Sequence, residues 1–137
     1  MSHKVALDFV EIGARLKRCA LPEVDRVVGI GSGGVVPAAL LAYKLERPLT
    51  ILSINYRDRD NQPRYETPKL LTPIRLPTED KKLLLVDDVS VSGKTLAVAK
   101  EQLMGYEITT LVMKGQGDIV LFPEIAACVQ WPWQEKK

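Results

Sequence analysis

The chain has 137 residues, 46% apolar and 26% charged, a composition that supports one packed core and excludes a disordered or fibrous chain. Lys and Arg total 19 against 17 Asp and Glu, a formal charge of +2, too even for a nucleic-acid groove or a polybasic membrane surface. Any bound anion must therefore be held by a local arrangement of donors.

The start, Met1-Ser2-His3-Lys4, has no hydrophobic signal core. His3 is the only histidine, which removes a histidine-based zinc site and a Ser-His-Asp triad. Val5, Phe9, Ile12, Leu16 and Cys19 recur at helical spacing and predict an amphipathic helix closed by Leu21-Pro22. Arg26 to Ile30 is a short apolar run broken by Gly31 to Gly34, and Val35 to Leu45 reads as a helix with Pro37 in its first turn. Thr50 to Ile54, Lys82 to Val86 and Ile108 to Met113 are further apolar runs. Thr95 to Met104 is a helix closed by Gly105. Short β-branched runs without polar alternation suit strands covered on both faces. The expected fold is α/β, a central parallel sheet flanked by helices in a single domain over 1–137.

Two segments break the alternation. Residues 56–68 are strongly polar, either a solvated loop or a lid. Residues 125–133 carry both tryptophans, Trp131 and Trp133, whose exposure would be costly, so this tail should fold back onto the domain. Cys19 and Cys128 lie far apart and read as two reduced, half-buried thiols. The longest strongly apolar stretch, Val35 to Ala42, falls far short of the ~20 residues of a membrane span. A soluble cytoplasmic protein, bound to neither membrane nor nucleic acid, is expected.

The unusual residues all follow apolar runs: Gly31 to Gly34 the first, Arg57 the second, Asp87-Asp88 the third and Lys114 the fourth. The carboxyl edge of a parallel sheet is where open α/β folds bind ligands. At Val86-Asp87-Asp88-Val89-Ser90-Val91-Ser92-Gly93-Lys94-Thr95, a buried strand runs into two carboxylates and then a turn that opens a helix. Helix-start N–H groups with the Ser92 and Thr95 hydroxyls form a phosphate cradle. The carboxylates would repel that phosphate but suit hydroxyls or a divalent cation, the two ends of a ribose 5-phosphate. A plainer alternative is that the aspartates only cap the following turn and helix. A Walker loop fails because Asp88 occupies its first glycine position. Gly29, Gly31 and Gly34 match the dinucleotide fingerprint, but Ser53, Ile54 and Asn55 stand where its acidic residue is expected. An anion-binding loop or a plain glycine turn remains.

These residues carry a resemblance. Val86 to Thr95 resembles the phosphoribosyl-pyrophosphate signature of type I phosphoribosyltransferases, and Ile30 to Ala38 resembles their pyrophosphate loop. Tyr56, Asp60-Asn61-Gln62, Lys114 and Pro132-Trp133 are similar to the bacterial xanthine-guanine branch, and the likeness runs over most of 25–133. It implies transfer of a phosphoribosyl group to a free nucleobase, chiefly a 6-oxopurine, in purine salvage, with Mg²⁺ and in a homodimer or higher homo-oligomer. Asp87 and Asp88 would hold the ribose hydroxyls and the metal. Val91, Ser92, Gly93, Lys94 and Thr95 would wrap the 5-phosphate. Ser32, Gly33 and Arg64 would meet pyrophosphate, with 56–68 as a flexible lid. Lys114, Val129 and Trp131 would hold the base beneath a hood over 119–133.

Three positions depart from the pattern. Val91 stands where 6-oxopurine relatives carry an aspartate base, and Ser32 where a basic residue is usual. Cys128 or Val129 stands where an aromatic ring stacks on the base. Val91 and Ser32 favour an alternative, a phosphoribosyl-pyrophosphate-binding regulator with weak or no chemistry.

Overall fold

The computed structural model describes residues 4–55, 69–70 and 75–134. The chain begins with β1 (Val5–Ala6), followed by α1 (Phe9–Arg18). The helix expected from Val5 thus starts four residues later. The reason is local: the Asp8 carboxylate accepts the Glu11 N–H at 2.8 Å as an N-cap, and residues before a cap are extended. Ile12 and Leu16 are the residues α1 buries.

β2 (Arg26–Gly31), α2 (Val35–Leu45), β3 (Leu49–Asn55) and β4 (Lys69–Leu70) come next. They are followed by β5 (Lys82–Ser90), α3 (Lys94–Gln102), β6 (Glu107–Gly115), β7 (Ile119–Val120) and β8 (Val129–Gln130). The strand expected over 82–86 continues to Ser90, so Asp87 and Asp88 lie within β5 rather than beyond its end. Lys114 likewise lies inside β6. Both strands are longer than their apolar runs because parallel pairing joins Asp87 to Val112 and Val89 to Lys114.

The main sheet has the order β4-β3-β2-β5-β6-β7. Its neighbours are parallel except β3 and β4, which pair antiparallel at the edge. The expected α/β architecture is present, a central parallel sheet flanked by helices.

Each face has its own core, which explains the unbroken apolar runs. Val27, Leu84, Val86, Leu111 and Met113 pack with α1, α2 and the C-terminal segment. Val28, Ile30, Leu83, Leu85 and Val112 face the other way, toward Leu96, Ala99 and Leu103.

The tail folds back as expected. β8 pairs in parallel with β1, setting Val5 opposite Val129. Trp131 is 1% exposed; its indole stacks on Trp133 at 5.4 Å and lies 6.2 Å from Phe122. Arg15 of α1 ties this layer down, with Glu124 at 2.7 Å and its guanidinium 4.4 Å from the Phe122 ring centre. Of the two thiols, Cys19 is half-buried as expected, but Cys128 is exposed, since it sits at the rim where β8 begins. No helix among the described residues is long and apolar enough to cross a membrane.

Candidate active site

From β2 the chain moves outward to β3 on one side and returns to β5 on the other. The carboxyl ends of β2 and β5 therefore flank the crevice where the strand order reverses, the usual ligand position in such sheets. Glycines let the two loops meet there. A Cβ on Gly34 would fall 2.6 Å from the Val86 carbonyl oxygen and 3.0 Å from Asp87 Cα. One on Gly33 would fall 2.5 Å from Asp88 Oδ2. The turn is closed by the Gly34 N–H on the Ile30 carbonyl at 2.8 Å, and Ser32 stands exposed at its tip. The glycine run is thus a close approach of backbone to the aspartate pair.

Asp87 is 7% exposed. Its Oδ1 accepts the Asp88 N–H at 2.8 Å, and Asp88 Oδ1 accepts the Val89 N–H at 2.7 Å. Burial, and then the neighbouring Asp88 charge, push Asp87 up to about 8. A buried carboxyl beside a second one lacks positive charge, and a cation or donating hydroxyls would relieve it. Among the described residues no group of three or more His, Cys, Asp or Glu is placed to hold a metal. The pair nonetheless fits Mg²⁺, which takes one or two carboxylates and completes its shell with water and substrate phosphates.

Beyond β5 the chain turns through Gly93, at φ +78°, into α3. A hollow of about 110 Å³ opens there, lined by Asp87 and residues 89–95. The Lys94 N–H donates to Ser92 Oγ at 3.3 Å. This hollow lies at the helix start where the sequence leads one to expect an anion cradle.

A larger cleft of about 680 Å³ joins Asp87, Asp88, Val91 and Thr95 to Lys114, Val129 and Trp131. Most of the expected site residues thus share one space, with carboxylates and cradle on one side and Lys114 and the tail on the other. Lys114 Nζ donates to the Ala126 carbonyl at 3.2 Å, which links it to the tail. Val91 is 80% exposed, its side chain free at the cleft. Trp131 belongs to the wall but gives most of its surface to the core and one ring face to Trp133. Arg64 and the lid expected over 56–68 lie outside the described residues.

Lys4 and Gln134 also line the cleft and are not site residues by the sequence reading; Cys128, one of the two positions at which the resemblance places a stacking ring, lines it too. β1 pairing with β8 brings Lys4 beside the tail, and a two-residue strand leaves no periodic signal.

The site so defined, a hollow at a helix start beside paired carboxylates at a sheet switch point, is that of an α/β ligand-binding domain. The sequence model of the phosphoribosyl transferase domain matches residues 19–113, and the chain belongs to that family. It is 34% identical over 100 residues to the Bifunctional protein PyrR of Pseudomonas entomophila (strain L48), a match covering 71% of this chain and 58% of that protein. This chain therefore spans only about three-fifths of that curated relative. A purine phosphoribosyltransferase from Pyrococcus horikoshii Ot3 superposes with a TM-score of 0.75 at 25% identity, covering 98% of this chain and 96% of that one. A hypothetical protein from Neisseria gonorrhoeae with bound ppGpp does so with a TM-score of 0.69 at 25% identity, covering 98% and 91%.

Proposed function

We propose that this chain transfers the 5-phosphoribosyl group of phosphoribosyl pyrophosphate to a free nucleobase, a 6-oxopurine by preference, and releases pyrophosphate in cytoplasmic purine salvage. The observation that carries the reading is one cleft shared by Asp87, Asp88, Val91, Thr95 and Lys114, with the small cradle at its side.

In the reaction, the bond from the anomeric carbon to the pyrophosphate oxygen breaks and a bond to a base nitrogen forms. Charge develops on ribose and leaving group as this happens. N–H groups at the start of α3, with Ser92 and Thr95, hold the 5-phosphate. Asp87 and Asp88 hold the ribose hydroxyls and would hold Mg²⁺, which when bound offsets charge on the pyrophosphate. Ser32 and Gly33 meet the leaving group, with Arg64 completing the set as part of a lid that keeps water from the reacting carbon. The Lys114 ammonium donates to a ring carbonyl and disfavours adenine, whose amino group would leave it unpaired. Val129 and the wall containing Trp131 cover the base.

Val91 cannot accept the proton lost from the base nitrogen, a role typically worth ~10²–10⁴-fold. That residue, with the match to proteins named bifunctional, favours a second reading: a phosphoribosyl-pyrophosphate-binding regulator. Pyrophosphate release from phosphoribosyl pyrophosphate and Mg²⁺ over a panel of bases separates the two. Base-dependent release supports the transferase; tight binding without release for any base supports the regulator. Val91→Asp should raise turnover with guanine, xanthine or hypoxanthine, and no gain would reject the lost-base account. Asp87→Asn combined with Asp88→Asn should abolish ribose 5-phosphate binding in a folded protein. Unchanged binding would remove the site from both readings.

A further inference from the structure

β6 leaves the sheet through Lys114-Gly115-Gln116-Gly117, a segment that the functional reading uses only at Lys114. Gly115 has φ +105°, and a Cβ there would collide with the Ser90 carbonyl. A Cβ on Gly117 would stand 3.0 Å from Val112 Cγ2. Gly115, bare of a side chain, lets the segment run this close to the end of β5, and Gly117 lets it turn back tightly over β6 and β7. That course places Gln116 against the chain entering the cradle: its N–H donates to the Ser90 carbonyl at 2.8 Å and its Nε2 to the Val91 carbonyl at 2.9 Å. Its Oε1 is 3.6 Å from where a Gly93 Cβ would be.

We infer that Gln116 is a positioning residue that fixes the sugar-phosphate loop from behind, and that it mechanically joins this loop to the base-recognising Lys114. This rests on the reading of Val91 to Thr95 as the 5-phosphate loop. A trans peptide is planar, with its C=O and N–H opposed. Holding the Ser90 and Val91 carbonyls on Gln116 therefore turns the Val91 and Ser92 N–H groups away from it. Gln116 is not among the residues lining the hollow, so those donors are directed by a group that does not itself touch the anion. Donors fixed before the ligand arrives bind it without an ordering cost. Because Gln116 lies two residues beyond Lys114, a base that draws on Lys114 acts on the same short segment. Base and sugar phosphate should each tighten the other by the same factor.

The test compares Gln116→Met, which keeps the length and loses the donor, with the native chain; Gln116 is exposed, and thermal unfolding of both proteins checks that the fold is kept. Ribose 5-phosphate is the probe, titrated by calorimetry with and without guanine, and amide exchange is followed at Val91 to Thr95. The expected result is an affinity for ribose 5-phosphate lower by about 5-fold, the scale of one hydrogen bond. Exchange should be faster only in residues 91–95, with thermal stability unchanged. The effect of guanine on that affinity should shrink. In turnover, KM for phosphoribosyl pyrophosphate should rise more than kcat falls. Equal affinity and equal exchange in the two proteins would overturn the inference. If the native chain itself fails to bind ribose 5-phosphate, the functional reading falls, and unequal exchange at 91–95 still upholds Gln116 as the loop's anchor.

Discussion

Two carboxyl groups in this chain are driven in opposite directions, each by a different cause. Asp87 is raised first by burial and then by its neighbour, as a buried carboxyl beside a second carboxyl is. Glu124 is lowered to about 2, chiefly by its hydrogen bond from Arg15, the signature of a structural tie. For Glu124 the folded value lies below the ordinary 4.5, so the pair's stabilisation is whole above that pH. It fades as the pH falls through about 2. A carboxyl ¹³C titration should find the low midpoint, and Arg15→Ala should return it toward the ordinary value. The aspartate pair and the turn into α3 are legible because several polar residue types crowd one short segment. Lys4 and Gln116 are not, since each acts through a partner far away in sequence: β8 for Lys4, and the end of β5 for Gln116.

The secondary-structure elements were read well wherever an apolar run was long. Both cores demand continuous apolar strands, so β2, β3, β5 and β6 declare themselves, as do the helices packed over them. β1, β7 and β8 have two residues each, too few for any periodicity, and only tertiary pairing makes them strands. Two glycines separate packing from propensity at this scale. Gly13, inside α1, has nothing within 4 Å of a new Cβ. Gly13→Ala should stabilise the protein by ~0.5–1 kcal/mol, the usual helical cost of glycine. Gly34→Ala drives a Cβ into backbone at 2.6 Å and 2.7 Å, and should destabilise by ~1–3 kcal/mol as overpacking does. Urea unfolding of the two variants should give opposite signs; a neutral Gly34→Ala would mean that the glycine loop does not press on β5.

Over the whole molecule, the C-terminal segment is the part that adds a wall to the cleft at the ends of β5 and β6. The sequence foretold that it would return, from the cost of two exposed indoles, but not where it would land. That landing depends on Arg15, Phe9 and β1, at the other end of the described chain. Trp131→Ala removes its largest buried side chain and should cost ~3–5 kcal/mol in unfolding experiments. It should also weaken base binding more than ribose 5-phosphate binding, because Trp131 borders the cleft but not the cradle.

The pairing of Val5 with Val129 also sets an order in time. β2, β3 and β5 meet after shorter excursions of chain than β1 and β8, which must wait until nearly every residue between them has been gathered in, and distant closures form late. The part of the cleft formed by β5 and the start of α3 should therefore mature before the part closed by the C-terminal segment, and in the native protein it should be the last to come apart. Amide exchange offers the measurement. The Val5 and Leu7 N–H groups, bonded to Cys128 and Gln130, should open in concert and well before those of Leu84 to Val86. If the proposed function holds, a molecule caught in that opened state would still grip a ribose phosphate while having nowhere to seat a base.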